Sequence, residues 1–232
     1  MNEPSVFNGP EISMPRDNIH FGDVEHRENH NMYGFFMTMA THAGHLQAHP
    51  NRRPFILSRS FFAGSQRHVA IWTGDNDASW EHLQASIPMV LAHNMAGLPF
   101  AGADTGGFFR NPDAELLVRW YQTAAWHPFF RGHAHLETKR REPWLFGEEN
   151  TARIRAAIRR RYDVMPYLYS LFHDSSVTGA PIARPLYYEF PYDTSLAREE
   201  KLFMLGPALL ISPIVNPGVT SLETSLPVAS NW

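Results

Sequence analysis

The stretch VAIWTGDNDASW, residues 69–80, joins an apolar run, a Gly-Asp turn and the start of a helix. Val69, Ala70, Ile71 and Trp72 read as a buried strand. Gly74 permits the sharp turn that ends it, so Asp75 is presented at the strand's C-terminal tip. Parallel α/β folds place their active groups at such tips. Asp is also a favoured cap and turn residue, and taken alone Asp75 reads equally well as the cap of a helix beginning near Ser79. The neighbouring segments decide between the two readings.

Upstream, residues 53–59 (RPFILSR) form an apolar strand ending on Arg59, and the loop 60–67 turns at Gly64. Downstream, residues 80–95 carry Trp80, Leu83, Ile87 and Leu91 on one helical face, with Pro88 as a kink. Residues 98–103 are the next strand and end on Asp104, inside the turn Ala103-Asp104-Thr105-Gly106-Gly107. Asn111 and Pro112 make an N-cap and first-turn pair for a helix to about residue 125, with Leu116, Leu117, Trp120 and Ala124 facing inward. Residues 126–133 read as a last strand tipped by Arg131 and His133. This strand and helix alternation predicts a parallel barrel or a doubly wound sheet.

The flanks differ in texture. Residues 2–23, rich in Pro, Gly, Asn and Asp, read as a long loop, and residues 26–48 as a helix that buries Tyr33, Phe36, Met37 and Ala40. Residues 149–173 read as one long helix with Ile154, Ala157, Ile158, Arg161, Tyr162, Met165 and Leu168 on or near the buried stripe, ended by Gly179 and Pro181. Beyond Arg184, short apolar runs at 186–190 and 202–215, punctuated by Pro and Gly, predict a β-rich second domain.

Composition narrows the function classes. The 232 residues are 44% hydrophobic and 19% charged, an ordinary globular balance. A net charge of −3 argues against a nucleic-acid partner, and the basic run 153–161 reads as a solvated helix face. No apolar run reaches the roughly 18 residues that span a bilayer, so no membrane partner is expected, and MNEPSVFNGP lacks the regions of a signal peptide. Cysteine is absent, which excludes disulfides and thiolate zinc sites. His20, His26, His30, His42, His45 and His49 show no metal-ligand spacing such as HExxH, so no metal is expected.

Four successive strand tips thus carry Arg59, Asp75, Asp104 and His133, two acids and two hydrogen-bond donors. A sugar site needs that mixture: carboxylates transfer protons and accept from hydroxyls, Arg and His fix orientation, and rings such as Trp72 and Phe108 form flat walls for pyranose faces.

The motifs MNEPSVFNGPE, EHRENHNMYG, FFAGSQR, WTGDN, GADTGGFF, ELLVRWYQ, HPFFRGHAH and REPW together make the chain resemble glycoside hydrolase family 31 from residue 1 to about 215. The resemblance implies Asp75 as the general acid/base, Arg59, Asp104 and His133 as sugar-binding residues, Trp72 and Phe108 as pocket aromatics, and Arg131 beside them. It implies the C-terminal half of a (β/α)8 barrel over 1–183 and the start of a β-sandwich domain over 184–232. In the family the nucleophile is the Asp directly before the Met-Asn-Glu motif, and this sequence starts at that Met, so the 232-residue chain is expected to be a partial barrel, inactive by itself. Glu3 is not taken as its substitute. The implied activity is that of a retaining exo-α-glucosidase acting on terminal α-linked glucose, in particular α-1,3-linked glucose of N-linked glycans in the endoplasmic reticulum lumen. No cofactor is implied, and a regulatory β-subunit is an implied partner. The rival readings are another specificity in the family, maltase-type or α-xylosidase, and a non-catalytic half-barrel that binds glycan or a partner.

Overall fold

Small residues and caps set where this chain turns, as a computed structural model describing residues 2–224 and 226–227 shows. Its contacts divide it into two units, one running to Trp72 and the other starting at Thr73.

In the first unit, β1 (Ile19–His20) pairs antiparallel with β2 (Val24–Glu25), a hairpin inside what the sequence reads as loop. Gly22 and Asp23 make its turn with φ of 83° and 56°. A short helix α1 (His26–Asn29) and a 3₁₀ turn lead into α2 (Tyr33–Ala48). The buried face of α2 is not the expected one: Gly34 and Thr38 point inward, whereas Phe36 and Met37 are exposed. The reason is a close backbone approach, since a Cβ on Gly34 would lie 2.1 Å from Ser60 Oγ, and only a small-residue face fits there. The ring nitrogens of His20, His26 and His30 face one another in a chain of two 2.9 Å hydrogen bonds. Among the described residues no group of three or more His, Asp or Glu could hold a metal ion. Strands β3 (Leu57–Ser58) and β4 (Ala70–Trp72) pair in parallel, Leu57 opposite Ala70.

The second unit begins with α3 (Trp80–Met95), capped by Ser79, whose hydroxyl accepts from the His82 amide. Two short strands, β5 (Ala101–Gly102) and β6 (Asp104–Thr105), precede α4 (Ala114–Ala124). The cap of α4 is Asp113, which accepts from Leu116 N at 2.8 Å, and not Asn111. Asn111 is drawn away because its Oδ1 accepts from Lys139 N at 2.8 Å. After β7 (Arg131–Gly132), the expected single helix is two, α5 (Glu148–Asp163) and α6 (Met165–Thr178). They part at Val164, because Pro166 has no amide to continue the ladder and suits the first turn of a new helix. The break rotates the stripe: Ile154, Arg161 and Leu168 are buried as expected, while Tyr162 and Met165 are exposed. Strand β8 (Ala183–Pro185), helix α7 (Leu186–Glu189) and strands β9 (Phe203–Leu205) and β10 (Leu209–Ile211) complete the unit, the strands forming an antiparallel sheet ordered β10-β9-β8. Its apolar core joins Leu83, Ile87 and Leu91 of α3 to Trp120 of α4, Leu168 of α6 and Phe203 and Leu205 of the sheet.

His127 lies inside this unit with neither ring nitrogen bonded to any of the described residues. Burial, reinforced by the Arg161 charge, pushes its pKa down to about 3. The folded imidazole stays neutral while the unfolded one protonates below about pH 6.5, so its contribution is full above that pH and is lost as pH falls toward 3. Between pH 7 and pH 5 this linkage is expected to cost about 2 kcal/mol, and His127→Phe to remove that part of the pH dependence. Urea denaturation of both proteins at the two pH values checks it. An identical pH dependence in the variant would show that His127 does not supply it.

Candidate active site

In the first unit Arg59 stands one residue past β3, where a strand end leaves its side chain to reach sideways. Its Nε donates to Glu3 Oε1 at 2.6 Å, and its guanidinium lies 5.9 Å from the centre of the buried Trp72 ring. Burial pushes the Glu3 carboxyl up, but the hydrogen bond and charge of Arg59 and a backbone hydrogen bond outweigh it and hold the pKa below the usual range. Glu3 is therefore an ionised partner that orients Arg59.

The second unit holds the rest. The amide of Thr73 donates to Gly102 O at 3.0 Å, Gly74 turns at φ 87°, and Asp75 follows on the exposed tip. Asn76, buried, faces the other way: its Nδ2 donates to Asp104 O at 3.1 Å, and its Oδ1 accepts from Phe108 N at 2.9 Å. The tip bearing Asp75 is thereby fastened to the start of β6, which bears Asp104. Strands β6 and β7 pair in parallel with Asp104 opposite Arg131. Side chains directly opposite share a sheet face, and here they form an ion pair, Arg131 Nη2 to Asp104 Oδ1 at 2.6 Å. The Asp104 side chain is 0% exposed, and Oδ2 has no hydrogen-bond partner among the described residues. Burial raises the Asp104 pKa, the Arg131 hydrogen bond and charge and the His133 charge oppose it, and the charge of Asp75 adds to the rise. His133, exposed, lies with its ring 5.2 Å from Phe108. Asp75, Asp104, Phe108, Arg131 and His133 are thus one cluster, an acid on an open tip beside an enclosed acid neutralised by Arg.

Such a pair of carboxylates in unlike surroundings is suited to glycosyl transfer, with one group exchanging protons and the other holding hydroxyls. Residues 1–171 match the family model described as the glycosyl hydrolases family 31 TIM-barrel domain, and residues 179–232 match the glycosyl hydrolase family 31 C-terminal domain. The chain belongs to glycoside hydrolase family 31.

Family 31 members of known description resemble it along its whole length. A protein of Oryza sativa subsp. japonica named "Probable glucan 1,3-alpha-glucosidase" is 58% identical over 233 residues, covering 100% of this chain and 25% of that protein. The Glc1Man2-bound crystal structure of a glucosidase II alpha subunit superposes with a TM-score of 0.94 at 50% identity, over 98% of this chain and 25% of that one. The catalytic subunit of an ER glucosidase II heterodimeric complex, solved with the binding domain of a regulatory subunit, superposes at 0.95 with 50% identity over 98% of this chain and 25% of that one. The chain spans about a quarter of the length of these relatives. As in the family, a TIM-barrel segment is followed by a C-terminal domain.

Asn76 and Arg141 escaped the reading of the sequence as site residues, although both lie in quoted motifs. Neither has a spacing that betrays it. Asn76 could have been noticed as the one amide side chain directly beside the Asp75 tip.

Proposed function

We propose that this chain carries the acid/base and most of the sugar-binding residues of a retaining exo-α-glucosidase. The observation that carries the reading is the exposed Asp75 tip, fastened through its neighbour Asn76 to the enclosed Asp104–Arg131 pair. In retention a carboxylate attacks the anomeric carbon while a second carboxyl protonates the leaving oxygen, then deprotonates the hydrolytic water. Asp75 takes the second role, because an open tip can both give a proton to a leaving group and take one from water. The family pattern gives the nucleophile to the Asp that precedes its Met-Asn-Glu motif, and Glu3, engaged with Arg59, does not take that role. Asp104, Arg131, His133 and Arg59 hold sugar hydroxyls, and Trp72 and Phe108 flank the ring. No metal or organic cofactor enters these steps.

Two relatives bear on the substrate: one is named for 1,3-linked glucan, and the other binds Glc1Man2. We therefore assign terminal α-1,3-linked glucose of N-linked glycans as substrate and the endoplasmic reticulum lumen as the working compartment. A regulatory subunit like that of the heterodimeric relative is the assigned partner. We place the boundary between barrel segment 1–183 and the C-terminal domain 184–232 within β8, the first strand of the antiparallel sheet.

If Arg59 and His133 hold hydroxyls, each alanine variant of the full-length protein should lose roughly 5- to 150-fold in kcat/KM, the loss of one hydrogen bond in a desolvated site. Steady-state kinetics on an α-1,3-linked glucose disaccharide, with the maltose-type isomer and an α-xyloside alongside, measure this and the specificity together. Wild-type kcat/KM in both variants, or a preference for the α-xyloside, would refute the assignment.

A further inference from the structure

The loop that joins Asp104 to Phe108 is made of glycine where it bends. Gly106 and Gly107 have φ of 93° and 80°, and Arg110 follows at 63°. A Cβ on Gly107 would sit 2.3 Å from Ala78 N, so the backbone passes too close to the 77–78 segment for a side chain. Such a loop cannot stabilise itself by packing and has the most conformational freedom to lose on folding. One side is held by Asn76, which accepts the Phe108 amide on both its carbonyl and its side-chain oxygen, at 2.7 and 2.9 Å. The other side is held by Arg141. Its Nη1 donates to Gly107 O at 2.6 Å and Gly106 O at 3.1 Å, and its Nη2 donates to Arg110 O.

From this geometry we infer that Arg141 is a positioning residue for the sugar site, acting through the backbone of residues 106–110 on Asp104 and Phe108. The inference rests on the glycosidase reading of that site. One guanidinium spans carbonyls on both limbs of the bend, which a planar fork of donors does and a single ammonium does not. Charge-assisted donors make these bonds stronger than bonds between neutral groups. The side chain also borders an open cavity of about 340 Å³, lined by Thr105, Tyr121, Gly132, His133 and Glu142. Among the described residues its neighbour Arg140 bonds to Glu142 alone, through an exposed ion pair, and it serves as the control of equal charge.

The test uses the full-length protein with Arg141→Ala, Arg141→Lys and Arg140→Ala. Arg141→Ala is expected to lower kcat/KM by about 10- to 100-fold, the cost of a small displacement of positioning groups, and Arg141→Lys to stay well below the parent. Arg140→Ala should remain within about two-fold. Because the cavity is open, added guanidinium should restore part of the Arg141→Ala loss, and ammonium at the same ionic strength should not. Amide hydrogen exchange gives a readout independent of turnover: peptides covering 104–110 should exchange faster in Arg141→Ala, with α3 and the β8–β10 sheet unchanged. Activity within about two-fold of the parent, a loss that guanidinium leaves untouched, or unaltered exchange over 104–110 would each overturn the inference. A parent protein inactive on α-glucosides would instead refute the glycosidase reading, while the exchange result would still decide whether Arg141 holds the loop.

Discussion

Replacing Asp75 by Asn is expected to slow hydrolysis of α-glucosides with sugar leaving groups by about 10²–10⁴-fold, the range typical of lost general acid catalysis. Activated aryl α-glucosides should keep most of their kcat/KM, because a good leaving group departs without a proton and kcat/KM reports only steps through its departure. Their kcat should still fall, since the second step needs a base to activate water, and KM should fall with it as the glycosyl-enzyme accumulates. This split follows from where Asp75 sits. It stands on the open tip past Gly74, beside the Asn76 that fastens that tip to Asp104, so an amide in its place preserves the turn and removes only the proton. Equal losses on both substrate classes, measured on the full-length protein, would remove Asp75 from the acid/base role.

The second large effect belongs to Asp104. Its carboxylate is 0% exposed and is held by Arg131 at 2.6 Å, so Asp104→Asn leaves a guanidinium, itself only 27% exposed, without its counter-charge. Breaking one partner of an enclosed pair typically costs about 3–5 kcal/mol, and a neutral amide that still accepts a hydrogen bond should fall at the lower end, about 3 kcal/mol of folding stability. Activity should fall by about 10²-fold or more, because Arg131 loses its orientation together with the site's acceptor for hydroxyls. A double variant, Asp104→Asn with Arg131→Gln, separates the two roles. Neutralising both partners should recover most of the stability but none of the activity. Recovery of both in denaturation and kinetic measurements would make the pair purely structural.

Much of this arrangement is legible in the residues themselves, and the reasons differ by element. The helix read at 80–95 is Trp80–Met95, because a Ser cap and four apolar residues at helical spacing agree on one answer. Arg59 and Asp75 are readable as strand tips because each follows an apolar run that ends near a turn, whereas Asp104 and Arg131 open the short strands β6 and β7 instead of closing longer ones, because pairing there is confined to two residues on each side. The face of α2 was not readable, since what selects Gly34 over Phe36 is the approach of Ser60, a partner 26 residues away. The break at Val164 was legible in principle: Pro166 marks it, but helical periodicity on both sides of the proline masks the interruption. Asn76 and Arg141 stayed hidden for a third reason. Their partners are backbone groups of a glycine loop, which any sequence supplies and only the fold brings within reach.

The most direct test of the central claim is to give the Asp75→Ala variant of the full-length protein an α-glucoside with an activated leaving group together with azide. Azide needs no base, so it should attack the β-linked glycosyl-enzyme and release α-glucosyl azide, the product of a retaining site whose acid/base has been removed and whose nucleophile is intact. The anomeric coupling constant in the proton NMR spectrum identifies it. Release of β-glucosyl azide would mean that Asp75 had been the attacking group, and the absence of either azide with undiminished hydrolysis would mean that Asp75 takes no part in the chemistry.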